Sequence, residues 1–270
     1  MESEKLNFKD EAKKSLEKSI VKTGQNEVEY LPDGTLMSQV DIAKKYPRDL
    51  MRCLANAMLV FEVDPTFAER CKYKKPQGKD DSDNAKTVEG PTVHLARLIA
   101  QVYGNLRIDA RIVCETEKKV VSEAIAWDLE TNTAIRQEIH RSVYSSKKNI
   151  RFSDDMVITT SLAANAIALR NAVFSIIPRY FVDRMLQKAE EVLKNDLSDA
   201  KKFAKRKFDM FEFFLKEGVE PQQIYAHIGV ANENQLTREH LIDLVQMAQS
   251  IKDGDAKASE IFKPLEKKSE

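Results

Sequence analysis

The hydrophobic period of this 270-residue chain changes abruptly at Gly104-Asn105, and that change limits the folds open to it. Before it, Leu95, Leu98, Ile99 and Val102 recur at three and four, the spacing of one helix face, with Pro91 suited to a first helical turn. After it, Leu106, Ile108, Ala110, Ile112 and Cys114 alternate with polar residues that include Arg107, Asp109 and Arg111, the pattern of a half-buried strand. Two more strand segments follow, VVSEAIAWDL from Val120 and TAIRQEIHRSVY from Thr133. The turn sequences Glu117-Lys118-Lys119 and Glu130-Thr131-Asn132 are short enough to make the three an antiparallel meander. On the third strand Ile135, Ile139 and Val143 share one face while Arg136, Glu138 and His140 share the other, so one face of the sheet is wet or meets something charged.

Ser153, followed by Asp154 and Asp155, is placed to cap a long helix running to Pro178. Ile158, Leu162, Ala166, Leu169, Val173 and Ile176 recur along it, and its many alanines permit close approach to the sheet. The fold class expected is therefore α+β: a three-stranded antiparallel meander packed on a long helix, plus a C-terminal three-helix module. Phe208, Phe211, Phe214 and Leu215 form the stripe of that module's first helix, Pro221 to Gly229 its second, and Thr237 caps the third, Arg238 to Lys252. Toward the N-terminus, residues 49–60 have helical spacing, and RCKYKKPQGKDDSDNAKT reads as a mobile loop, basic in its first half and acidic in its second. The domains expected are an N-terminal arm over 1–30, a core over 31–195 and a separable C-terminal module over 196–270.

Composition excludes several function classes. Lysine plus arginine and aspartate plus glutamate each number 43, so attraction to nucleic acid must come from local patches rather than a global field. Cys53, Cys71 and Cys114 lie far apart without CxxC spacing, which argues against structural zinc or a disulfide framework and fits a reducing cytoplasm. The charged N-terminus lacks a signal core and no window approaches the roughly 18 apolar residues of a membrane span, so the expectation is a cytoplasmic protein without a membrane partner. GxxxxGK[ST], GxGxxG and HExxH are absent. His94, His140, His227 and His240 fall in separate predicted elements, and Asp154-Asp155 is explained by helix capping. No catalytic residue, metal or cofactor is assigned, and the chain does not read as an enzyme.

The ordered string VEGPTVHLARLIAQVYGNLRIDARIV, then VSEAIAWDLETNTAIRQEIHRSV, a gap, and LAANAIALRNAVFSIIP resembles the strand-strand-strand-helix core of single-strand annealing proteins. These are the eukaryotic Rad-fifty-two group and the phage Erf and RecT/Redβ groups, and the resemblance covers residues 86–180. The C-terminal FFLKEGVEPQQIYAHIGVANENQLTREHLIDLVQMAQSIKDGD is similar to the helical region with which phage recombinases recruit partners. The resemblance implies ATP-independent binding and annealing of single-stranded DNA in phage-type homologous recombination by a homo-oligomeric ring or filament. The single-stranded DNA would lie in a basic groove between the meander and a helix-bearing lobe. Partners implied for the C-terminal module are a host single-strand-binding protein and a phage exonuclease.

The candidate groove residues are Lys72, Tyr73, Lys74 and Lys75 of the basic stretch, Arg107, Arg111 and Arg136 on the polar sheet face, Lys147, Lys148 and Arg151 at the meander-to-helix link, and Arg170 of the long helix. Annealing needs the backbone held by cations while base edges stay free, and Tyr73 offers a stacking surface. The competing structural reading makes Arg170 a buried partner of Asp128 or Glu123, and the rest ordinary solvated charges. The chain departs from the family in its neutrality and in the acidic insert Asp80-Asp81-Ser82-Asp83. The alternative function is a non-annealing phage structural or adaptor protein whose meander and helices form an assembly interface.

Overall fold

In the computed structural model, which describes residues 28–30, 36–79, 85–145 and 148–262, two short paired strands, β1 (Val28–Tyr30) and β2 (Leu36–Ser38), lead into helix α1 (Gln39–Lys45). Asp49 then starts α2 (Leu50–Val63), its carboxylate accepting the Met51 and Arg52 amides at 3.0 and 3.1 Å. A 3-10 turn (Pro65–Arg70) precedes a hairpin of β3 (Lys72–Lys79) and β4 (Ala85–Pro91). Helix α3 (Val93–Tyr103) begins at Thr92, whose hydroxyl accepts the Leu95 amide at 3.3 Å, and ends at Gly104 with φ +71°. Pro91, expected in the first helical turn, is instead the last residue of β4.

The meander is present as β5 (Leu106–Glu115), β6 (Lys119–Asp128) and β7 (Thr133–Ser142), in that spatial order. The small pair β8 (Tyr144–Ser145) and β9 (Ile150–Arg151) links it to α4 (Asp154–Ile176). Ser153 holds the N-cap position of α4 but its hydroxyl makes no capping hydrogen bond. Helices α5 (Arg179–Asp196), α6 (Ala200–Lys216), α7 (Pro221–Ile228), α8 (Arg238–Lys252) and α9 (Ala258–Ile261) follow within the described residues.

One face of the meander lies on α4 through small side chains: Ala124 and Ala126 of β6 meet Ala168 and Ala172, all four fully buried or nearly so. Val120 and Val143 meet Val157 and Ala164 at the other end. Alanine against alanine brings helix and sheet backbones close, which explains the Ala-rich composition of α4. By length and composition α4 could cross a membrane, contrary to the expectation that no segment approaches a span; its alanines pack on the sheet, but only 33% of the apolar window is buried, and Ile158 and Leu162 of the expected stripe are 58% and 65% exposed.

Two further expectations are corrected. The lysine-rich stretch after Arg70 is a hairpin rather than a loop, because Tyr73 is buried and the flanking lysines reach carboxylates on helices far along the chain. The first C-terminal helix turns Met210 and Phe214 inward, while Phe208 and Leu215 of the expected stripe are 68% and 56% exposed.

The core does not break near residue 195. Leu241, Ile242 and Leu244 to Ser250 of α8 are all buried, so this helix is surrounded rather than amphipathic. Its apolar side chains join Phe61 of α2, Ile99 of α3, Phe181 and Met185 of α5 and Phe214 of α6 in one cluster. The hairpin packs against α8, where the Ser250 hydroxyl donates to the Lys74 carbonyl at 3.0 Å. The N-terminal arm up to residue 27 and the acidic insert lie outside the described residues.

Candidate nucleic-acid interface

With one face of the meander on α4, the strand register decides what the opposite face presents. Arg107 pairs across to Trp127 and on to Ala134; Asp109 to Ile125 and Arg136; Arg111 to Glu123 and Glu138. Arg107, Arg111 and Arg136 are all exposed. Glu123, on the middle strand and only 8% exposed, anchors two of them: Arg136 Nη1 donates to it at 2.9 Å and Arg111 Nη2 lies 3.6 Å away. Both guanidinium groups remain about two-thirds exposed, with further N–H donors in a planar fork directed to solvent. Half-buried Trp127, its indole N–H donating to the Asn132 side chain at 3.1 Å, and Ile125 supply a flat apolar centre. Three arginines and His140 thus share the face with Asp109, Glu123 and Glu138.

The end of the sheet near the β5–β6 turn carries a second group of cations. Lys119 and Lys148 are exposed, and the Lys118 ammonium stands 5.5 Å from the centre of the Tyr144 ring. Arg151 is tied down, donating to the Thr116 and Glu117 carbonyls at 2.7 and 3.0 Å and pairing with Glu115. Lys147 lies outside the described residues.

The remaining candidates are turned into the fold. Lys72 pairs with Glu190 at 2.9 Å and Glu89 at 3.0 Å; burial opposes its charge, but these two carboxylates outweigh burial and raise its pKa. Lys74 pairs with Asp243 at 2.8 Å. The Tyr73 ring, buried, carries the Arg170 guanidinium at 4.8 Å and the Lys75 ammonium at 5.4 Å. A Cβ at Gly90 would come within 3.2 Å of that ring, so the absence of a side chain there lets Tyr73 lie across the hairpin. Arg170 is buried and pairs with Asp255 at 2.9 Å. Neither partner expected for it is free: Glu123 serves the sheet arginines, and Asp128 is engaged by Arg48. Of the expected residues, the structure brings together Arg107, Arg111 and Arg136 on one open face, while Tyr73 and Arg170 are buried against each other and Lys72 and Lys74 are held in ion pairs.

Sequence reasoning passed over two participants. Trp127 belongs to the arginine face by the same period of two that revealed Arg107 and Arg111, once β6 is aligned with its neighbours. Arg48, before α2, bridges Asp128 and Glu130 with its guanidinium stacked 4.1 Å from the Tyr103 ring centre, and only the folded chain brings these groups together. Compared with protein-family models, with curated proteins and with solved structures, the chain matches none, so the reading of this face rests on its own residues.

Proposed function

We propose that the protein binds single-stranded DNA across the open face of the meander and anneals complementary strands without nucleotide hydrolysis. It does so as a cytoplasmic homo-oligomer serving phage-type homologous recombination, with no enzymatic step and no cofactor. The observation that carries the reading is the set of three exposed arginines around Trp127 and Ile125. Guanidinium forks hold phosphates and the indole gives one stacking surface, contacts that leave base edges free for pairing with a second strand. The carboxylates on the face limit it to a few phosphate contacts. The exposed sides of helices α6 and α7 are the proposed contact for a host single-strand-binding protein and a phage exonuclease.

The test mixes labelled complementary oligonucleotides with the protein and no ATP. Annealing faster than the spontaneous rate is expected; an unchanged rate, or acceleration only with ATP, refutes the proposal. A second reading, a non-annealing phage structural or adaptor protein, is favoured by the apolar outer side of α2, where Met51, Leu59 and Val63 are 76%, 52% and 79% exposed. A gel shift that is absent with single strands at low salt would favour that reading.

A further inference from the structure

Away from the meander, the 3-10 turn, the start of α3, α6 and the end of α8 surround a cleft of about 560 Å³. Glu69, Arg70, His94, Arg206, Lys252 and Asp253 line it. Its two carboxylates already have partners. Arg206 Nη1 donates to Glu69 at 2.7 Å, with both side chains less than a quarter exposed. Asp253 faces His94 Nε2 at 3.0 Å and accepts the Gln249 amide at 2.8 Å.

Two cations are left over. Among the described residues, neither Arg70 nor Lys252 has a carboxylate at ion-pair distance; the Lys252 ammonium stands 4.9 Å from the centre of the Phe213 ring. They nevertheless converge. Both line the same cleft as Arg206 and Glu69, where burial pushes the Glu69 carboxyl up against the pull of Arg206, Lys252 and Arg70. The cleft therefore holds more positive charge than its carboxylates neutralise.

We propose that this cleft binds a phosphate group, held by Arg70 and Lys252. The arginine fork donates to two phosphate oxygens side by side and the lysine supplies a point charge. Arg206 offsets Glu69, and Arg70 and Lys252 together outweigh the remaining charge of Asp253. The cleft is larger than one phosphate, leaving room for a pyrophosphate or for a length of strand backbone. It uses none of the residues of the open face, so its success or failure is independent of the annealing reading.

The test is calorimetric titration of the full chain with inorganic pyrophosphate at low ionic strength, beside Arg70→Gln, Lys252→Gln and the double variant. Both side chains are exposed, so their replacement buries no uncompensated charge; the melting temperature without ligand checks this. Each replacement is expected to weaken binding about tenfold, the size of one charge-assisted hydrogen bond. Arg70→Lys should retain more affinity than Arg70→Gln. A short single-stranded oligonucleotide that displaces pyrophosphate identifies strand phosphates as the source, and one that does not identifies a free phosphate compound. Absence of binding to the unaltered protein at millimolar pyrophosphate, or equal affinity in the double variant, overturns the proposal.

Discussion

Replacing Arg107, Arg111 and Arg136 together by glutamine takes three cations off the open face of the meander and leaves its shape in place. If each arginine neutralises one phosphate, the slope of log affinity against log salt for a single strand should fall by about 0.7 per residue, or roughly 2 for the triple variant. Between about 50 and 200 mM salt, the unaltered protein would then lose roughly twentyfold more affinity than the variant. The structure also sets the expected side effect. Glu123 is buried and loses two charged partners, but both arginines are largely exposed, so each pair is worth less than about 1 kcal/mol, and a glutamine amide can still donate to the carboxylate. The variant should therefore fold, which its unfolding curve will show. Fluorescence anisotropy of a labelled thymidine oligonucleotide across a salt series reads the slope. The control is Lys72→Gln with Lys74→Gln: these lysines are held by Glu89, Glu190 and Asp243, so stability should fall while the slope stays. A folded triple variant with the original slope, or a control that flattens it, would refute the assignment of this face.

Arg48→Met should destabilise by about 3 kcal/mol in urea unfolding at pH 7, because it strips the nearly buried Asp128 of a guanidinium that is itself 7% exposed. Burial pushes the Glu130 carboxyl up, but hydrogen bonds from Asn105 and Arg48 outweigh it and hold its pKa below the ordinary 4.5. This contribution is complete above that value and lost as pH falls through the folded pKa, so Arg48→Met should flatten the loss of stability on acidification below about pH 4.5. Arg170→Leu alone strands the Asp255 carboxylate and should cost about 3 kcal/mol or more, whereas adding Asp255→Leu should recover part of that loss. A double-variant cycle with zero coupling would contradict the pairing.

The meander and its covering helix are legible because each carries its own evidence, a period of two between short turns and then a long helix with alanine where the sheet comes close, although Ile158 and Leu162 of the expected stripe face outward. The same alternation put Arg107, Arg111 and Arg136 on one face without any tertiary information. The hairpin was not legible, since a strand that buries one tyrosine among lysines has the composition of a loop. What makes it a strand are Glu190 and Asp243, 118 and 169 residues away. The environment of Arg170 escaped for the same reason: Asp255 follows 85 residues later, in the part of the chain set apart as a module of its own. Phe208 and Phe214 are equally hydrophobic in sequence, and only the folded chain, which brings Phe262 against Phe214, decides which is covered.

The burial of α8 fixes the order in which the molecule can be completed. The meander and α4 are made before it and close over short distances, but the hairpin made earlier still has no surface to lie on. From the time residue 91 leaves the ribosome until residue 250 follows, the strand that carries Tyr73 lacks the Ser250 and Asp243 contacts that hold Lys74. Contacts across such separations form slowly, and the waiting intermediate keeps apolar surface on α2, α3 and α5 uncovered. A nascent chain of this protein is therefore most vulnerable to aggregation late in synthesis, and a premature stop before residue 238 leaves a long polypeptide lacking the helix around which the rest is packed.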